Sequence, residues 1–110
     1  MADPRVKALK IKTGIVKRLA KEKISYEKES ERERERLLKF KNDGKDEYVV
    51  RKQEEVLQEC LMIVPDTQRR LGKAFEDLSE FLKAEEDLKE TEEYRNAQAV
   101  MEEAKVQLKD

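Results

Sequence analysis

The chain has 110 residues, the size of one domain, and 46% of them are charged although the formal net charge is only −1. Three Gly, two Pro and no Trp are too few for a protein built from strands and turns, so the composition predicts an all-α fold. With no His, one Cys and no P-loop motif, we predict that the protein is not an enzyme and takes no metal and no cofactor.

The first predicted helix covers residues 4–41. Asp3 is a good N-cap, Pro4 suits the first helical position, and Gly44 can adopt the left-handed conformation that follows a helix end. Residues 29–36 read ESERERER, in which attractive i,i+3 pairs and repulsive i,i+4 pairs largely cancel. We interpret this stretch as a solvated helix face. The attractive pairs are Glu29–Arg32, Glu31–Arg34 and Glu33–Arg36.

The second predicted helix covers residues 46–85 and contains Pro65. A proline inside a helix costs roughly 3 kcal/mol, yet the apolar pattern resumes at Leu71. We therefore predict one long helix that is kinked at Pro65. The alternative is a true break, with Asp66 or Thr67 as the cap of a new helix.

The third predicted helix covers residues 91–109. No Gly or Pro follows Gly72, so its start is inferred from a shift of about two residues in the phase of the apolar stripe. Thr91 is its candidate N-cap. These three helices predict a single domain, residues 1–110, folded as a rod-like antiparallel three-helix bundle.

The third helix is about half as long as the other two, which predicts an uneven bundle. It can cover only the half that contains residues 5–23 and 66–85, so residues 24–64 would form a two-helix arm. Apolar side chains on that arm would be partly covered, and such a strip suits binding of a partner. The apolar residues expected there are Val49, Val56, Leu57 and Leu61.

Charge is unevenly spread along the chain. Residues 1–23 hold eight Lys or Arg against two Asp or Glu, whereas residues 76–110 hold five against twelve. The favoured interpretation is that these two segments lie side by side and neutralise each other. The alternative is a basic surface for phosphates or an acidic partner, which includes a nucleic-acid hypothesis for residues 5–23.

The lone Cys60 fits a reducing compartment, and its place on an apolar stripe predicts a small core residue instead of a reactive thiol. The first residues lack the apolar run of a signal peptide, and no stretch reaches the roughly 20 apolar residues of a membrane span. We therefore expect a cytoplasmic protein without membrane contact.

Five stretches, in order over most of the chain, resemble the tubulin-binding cofactor A family of chaperones. They read MADPR, KIKTGIVKRLAKEKISYEKE, KQEEVLQE, PDTQRRL and EEDLKETEEY. The resemblance is weaker over residues 29–46 and over the last dozen residues. The resemblance implies a cytoskeleton-associated three-helix rod that captures β-tubulin released from the cytosolic chaperonin. It would use no nucleotide and would hold β-tubulin until it passes to other tubulin-folding cofactors and joins α-tubulin.

The matched stretches put basic residues forward as contacts for an acidic tubulin surface. Together with the apolar residues of the arm they form the predicted partner-binding set. Its members are Lys12, Lys17, Lys21, Val49, Lys52, Val56, Leu57, Arg69 and Arg70.

A second hypothesis is a structural coiled-coil protein that assembles with itself. Apolar stripes at heptad-like spacing favour it, but Gly44, Pro65 and the late phase shift favour a chain folded back on itself. The sequence is compatible with a monomer or a homodimer.

Overall fold

A computed structural model describes residues 3–109 as three helices. They are α1 (Pro4–Asn42), α2 (Glu47–Ala84) and α3 (Glu92–Leu108), with a single 3₁₀ turn at Glu86–Leu88. The described residues contain no strand, so the prediction of an all-α antiparallel three-helix bundle is confirmed. The molecule measures 64 × 23 × 18 Å, which makes it a rod.

The helix ends lie within one residue of the bounds expected from the sequence because the capping residues act as their chemistry dictates. The carboxylates of Asp3 and Asp46 accept hydrogen bonds from the first turns of α1 and α2, and the Thr91 hydroxyl does so for α3. Gly44 has a φ of +69°, and backbone bonds back to Lys41 and Phe40 close the end of α1. A residue with a Cβ would be strained in this turn.

Helix α2 runs without interruption through Pro65. The prediction of one long helix is therefore confirmed, and the alternative of a break is wrong. Neither candidate cap starts a helix: the Thr67 hydroxyl donates to the Ile63 carbonyl 2.9 Å away, and Asp66 accepts from Arg69. Packing on both sides of Pro65 outweighs the backbone bond that proline cannot make.

The apolar core lies only in the half of the rod that α3 covers. Helices α1 and α2 place buried residues at seven-residue intervals there, and α3 adds small side chains that let it approach closely. The Tyr94 hydroxyl donates to the Leu82 carbonyl at 2.8 Å, which ties α3 to α2. The core consists of Leu9, Val16, Leu19, Leu71, Leu78, Leu82, Leu88, Tyr94, Ala97, Val100 and Ala104.

The basic and acidic segments do lie side by side, as the favoured interpretation predicts. Arg5 reaches Glu85 at 2.9 Å and Asp87 at 2.8 Å, so the start of α1 is fastened to the segment that precedes α3. Lys12 pairs with Asp77 at 2.7 Å on α2, and Lys10 lies 3.9 Å from Glu93 on α3. None of the helices in residues 3–109 is both long and apolar enough to cross a membrane.

Truncation of a core leucine tests this placement of the core. Leu78 is fully buried, so Leu78→Ala should lower the free energy of unfolding by about 2–5 kcal/mol through lost contacts and a residual cavity. Leu38 is exposed on the arm, and Leu38→Ala should change the free energy of unfolding by less than about 0.5 kcal/mol. Urea unfolding followed by circular dichroism measures both values, and equal losses would contradict the placement.

Candidate partner-binding surface

The two helices of the arm (residues 24–64) meet through polar side chains. Ser30, Glu33 and Gln53 are buried between them, and Leu57 is the only buried apolar residue of this range, all of which the structure describes. Gln53 Nε2 donates to Glu33 Oε2 at 2.7 Å and to the Glu33 carbonyl at 3.0 Å. We name Ser30, Glu33 and Gln53 the polar seam.

The polar seam corrects the interpretation of residues 29–36 as a solvated face. Buried positions recur every seven residues along α1, from Leu9 and Val16 through Lys23 to Ser30. Glu33 lies one helical turn after Ser30 and is buried on the same side. The rest of the stretch is exposed. The attractive pairs predicted within it are present at 3.6–3.7 Å.

The structure also corrects the expected exposure of Leu57. This side chain is only 6% exposed because its position, 14 residues before Leu71, continues the line of buried residues along α2. It is therefore unsuited to direct contact with a partner in this conformation. Val49 and Leu61 are partly covered, as expected for the arm.

Exposed and partly exposed apolar residues do form a line on one side of α2. Val49, Val56 and Ile63 recur every seven residues, and Val56 and Ile63 are 40% and 42% exposed. We name these three residues the apolar strip, which spans about 21 Å at 1.5 Å per residue. The next two positions at seven-residue spacing along α2 are Arg70 and Asp77, and Asp77 forms an ion pair with Lys12 of α1.

The apolar strip lies away from α3, which contacts the side of α2 that carries Ser79 and Lys83. Ile63 was absent from the predicted partner-binding set, although its seven-residue spacing from Val49 and Val56 would have identified it. The neighbouring Tyr48 and Met62 are still more exposed and were also missed. These two lie 14 residues apart on a neighbouring seven-residue line, but the charged Glu55 midway between them interrupts its apolar pattern.

The predicted basic contacts divide into two groups. Lys12 is half-buried instead of exposed, since it pairs with Asp77 and its Nζ lies 5.7 Å from the centre of the Phe81 ring. Its visible role is to join α1 to α2. Lys17 and Lys21 are exposed, and neither has an ion pair within residues 3–109.

The predicted basic residues of α2 are exposed but have local partners. Lys52 lies 3.7 Å from Glu55 and over the Tyr48 ring, and Arg69 and Arg70 both pair with Asp66. Exposed pairs within one helix are weak, so a partner could replace them at little cost.

Chemically reactive groups do not converge on this surface. Burial raises the pKa of the Cys60 thiol, and the carboxylates of Glu33 and Glu29 raise it further, so the thiol is protonated at neutral pH. Within residues 3–109, no cluster of three or more His, Cys, Asp or Glu could hold a metal ion. The arm therefore offers a partner apolar contact area and charged side chains, but no reactive group.

Comparison with known proteins assigns the family. Residues 4–101 match the family model described as Tubulin binding cofactor A. The chain belongs to the tubulin-binding cofactor A family. Tubulin-specific chaperone A from Rattus norvegicus is 50% identical over 107 residues, which cover 97% of this chain and 99% of that protein.

Solved structures of the tubulin-binding cofactor A family agree with the fold described above. Human tubulin chaperone cofactor A has a TM-score of 0.80 at 46% identity, covering 93% of this chain and 99% of that one. Tubulin folding cofactor A from Arabidopsis thaliana has a TM-score of 0.85 at 38% identity, covering 94% of this chain and 97% of that one. The family is one of tubulin-specific chaperones, so tubulin is the partner class to consider for this surface.

Substitutions in the polar seam test its energetic role. Gln53→Leu should lower the free energy of unfolding by about 1–3 kcal/mol, because it leaves the buried Glu33 carboxylate without its donor. Glu33→Leu/Gln53→Leu should be at least as stable as the unmodified chain, since apolar contact replaces both polar groups. Urea unfolding measures the free energy of unfolding of both variants. Gln58→Leu, on the exposed side of α2, is the control. A double variant less stable than Gln53→Leu would refute this role.

The environment of Cys60 predicts slow alkylation. Because the folded-state pKa is raised, the thiolate appears only at higher pH, and the rate with iodoacetamide should reach half its maximum above the usual thiol value of about 8.5. Glu29→Gln should move this midpoint down, whereas Glu31→Gln, whose carboxylate is not among those that raise the pKa of Cys60, should not. A midpoint at or below the usual value would contradict the account.

Proposed function

We propose that this chain captures β-tubulin after its release from the cytosolic chaperonin and holds it until it passes to other tubulin-folding cofactors and joins α-tubulin. The proposal makes the protein a cytoplasmic, cytoskeleton-associated chaperone that works by binding alone, without catalysis or a nucleotide. Membership of the tubulin-binding cofactor A family supports the partner class. The choice of β-tubulin is part of the proposal.

The observation that carries the proposal is the uncovered apolar strip on the arm. A line of Val49, Val56 and Ile63 beside charged side chains is the kind of surface on which a helical protein binds a partially assembled protein. Lys52 and Arg70 border this strip, and their positive charge favours encounter with an acidic surface. Tubulin is such a partner.

The apolar strip also keeps one alternative open, a protein that assembles with itself. Seven-residue spacing suits a second copy of the chain as well as a client. Sedimentation at increasing concentration distinguishes the two: a species of about 13 kDa throughout supports a chaperone that binds as a monomer. Growth beyond a dimer would support the structural coiled-coil hypothesis.

Removal of exposed apolar side chains tests the proposed function. Val56→Ser/Ile63→Ser should weaken the β-tubulin complex in a native-gel titration by about tenfold or more, because central apolar contacts dominate binding energies. Ile11→Ser/Val106→Ser removes two apolar side chains that are even more exposed, from the other half of the rod, and should change the affinity less than about twofold.

The same gels carry the controls for partner identity. α-Tubulin should give no complex, and addition of ATP or GTP should not be required for the β-tubulin complex. If no complex with β-tubulin forms, the proposed function is wrong. If both double variants bind equally well, the apolar strip is not the contact surface.

A further inference from the structure

The basic residues at the start of α1 are only partly neutralised by the rest of the chain. Residues 4–21 contain seven Lys or Arg and no Asp or Glu. Arg5, Lys10 and Lys12 reach carboxylates of the segment that follows residue 76, so they act within the fold. The others extend from the surface of α1.

Four lysines share the outer side of α1 and have no ion pair among the described residues. Lys7, Lys21 and Lys28 are separated by multiples of seven residues, and Lys17 lies one turn before Lys21. All four are exposed. We name them the lysine stripe, which is about 31 Å long at 1.5 Å per residue. By contrast, every arginine in residues 3–109 has a carboxylate within 4 Å.

Gly14 occupies the same outer side, midway between Lys7 and Lys21. Apart from its chain neighbours and the nearby backbone of α1, no described atom lies within 4 Å of the position that a Cβ would take there. Together with Lys10 and Lys17, this glycine lines an open cleft of about 390 Å³. A bound chain can therefore approach the α1 backbone at the centre of the lysine stripe.

We propose that the lysine stripe binds an acidic, extended segment of the client protein. This inference rests on the proposed function and adds a second contact, on α1, to the apolar strip of α2. Unpaired cations in a row attract a matching row of carboxylates, and such pairs raise the association rate. At about 3.3 Å per residue, an extended peptide of roughly ten residues matches the length of the stripe.

The surroundings favour a single peptide strand over a nucleic acid. Glu92 and Glu93 line the α3 side of the Gly14 cleft, and Glu103 lies across a second cleft from Lys17 and Lys21. A narrow chain can keep to the α1 side of both clefts, which carries the lysines. A wider polyanion would cover these carboxylates and be repelled.

A charge-reversal experiment tests the lysine stripe. The probe is a fluorescein-labelled glutamate decapeptide, titrated with the full chain and followed by fluorescence anisotropy at low and physiological salt. Lys17→Glu/Lys21→Glu/Lys28→Glu should weaken its binding by about tenfold or more. Lys45→Glu/Lys73→Glu/Lys89→Glu makes the same change in net charge at scattered exposed positions and should weaken it by less than about threefold.

Folding of the stripe variant is checked by its helical circular dichroism. If it is reduced, Lys17→Gln/Lys21→Gln/Lys28→Gln replaces it, with an expected loss of about fivefold. Equal weakening by the stripe and scattered variants would overturn the proposal. So would tighter binding of a single-stranded DNA decamer than of the glutamate decapeptide, because the stripe would then be a nucleic-acid site.

Competition links the lysine stripe to the client. The glutamate decapeptide should lower the amount of β-tubulin complex in a native gel, and the stripe variant should bind β-tubulin less tightly than the scattered variant. Failure of both effects while the complex itself forms would overturn this inference alone. Absence of any complex would instead refute the proposed function, and the peptide titration would still report on the stripe.

Discussion

The length of α3 is the constraint on which the rest of the structure depends. With 17 residues against 39 and 38 in α1 and α2, it covers less than half of the helical hairpin. Apart from Leu57, the buried apolar residues lie where three helices meet, because two helices alone offer little apolar area to a common interior. The arm is held by the polar seam, whose hydrogen bonds tolerate nearby water at some cost in stability.

The basic residues of α1 fall into two groups, those that form ion pairs within the fold and those that remain free for a partner. The residues that face the acidic segment fasten the start of α1 to α2 and α3, with Arg5 bound to both Glu85 and Asp87. Lysines on the outer side lack such partners within the described chain and remain available. The basic residues of α1 therefore join the helices through ion pairs, and the lysines without such pairs are the ones that we propose attract an acidic client.

Helix ends and the position of α3 could be predicted from the sequence because caps, Gly44 and the shift in apolar phase act locally. The burial of Glu33 could not be predicted in the same way, since its charged neighbours in ESERERER are solvated. Only the hydrogen bond from Gln53 on α2 distinguishes Glu33 from those neighbours. Leu57 was misjudged although its spacing of 14 residues from Leu71 places it on the line of buried residues along α2. The family resemblance indicated the partner class but not which face of the rod remains open.

Hydrogen–deuterium exchange of the chain, alone and with β-tubulin, tests most directly the claim that the arm is a weakly held, uncovered client surface. Alone, amides of residues 30–60 should exchange much faster than those of residues 71–82, because opening of the arm leaves the apolar core intact. With β-tubulin, exchange should slow around the apolar strip. Uniform protection along α2 in the free chain, or slowing confined to α3 in the complex, would contradict the account.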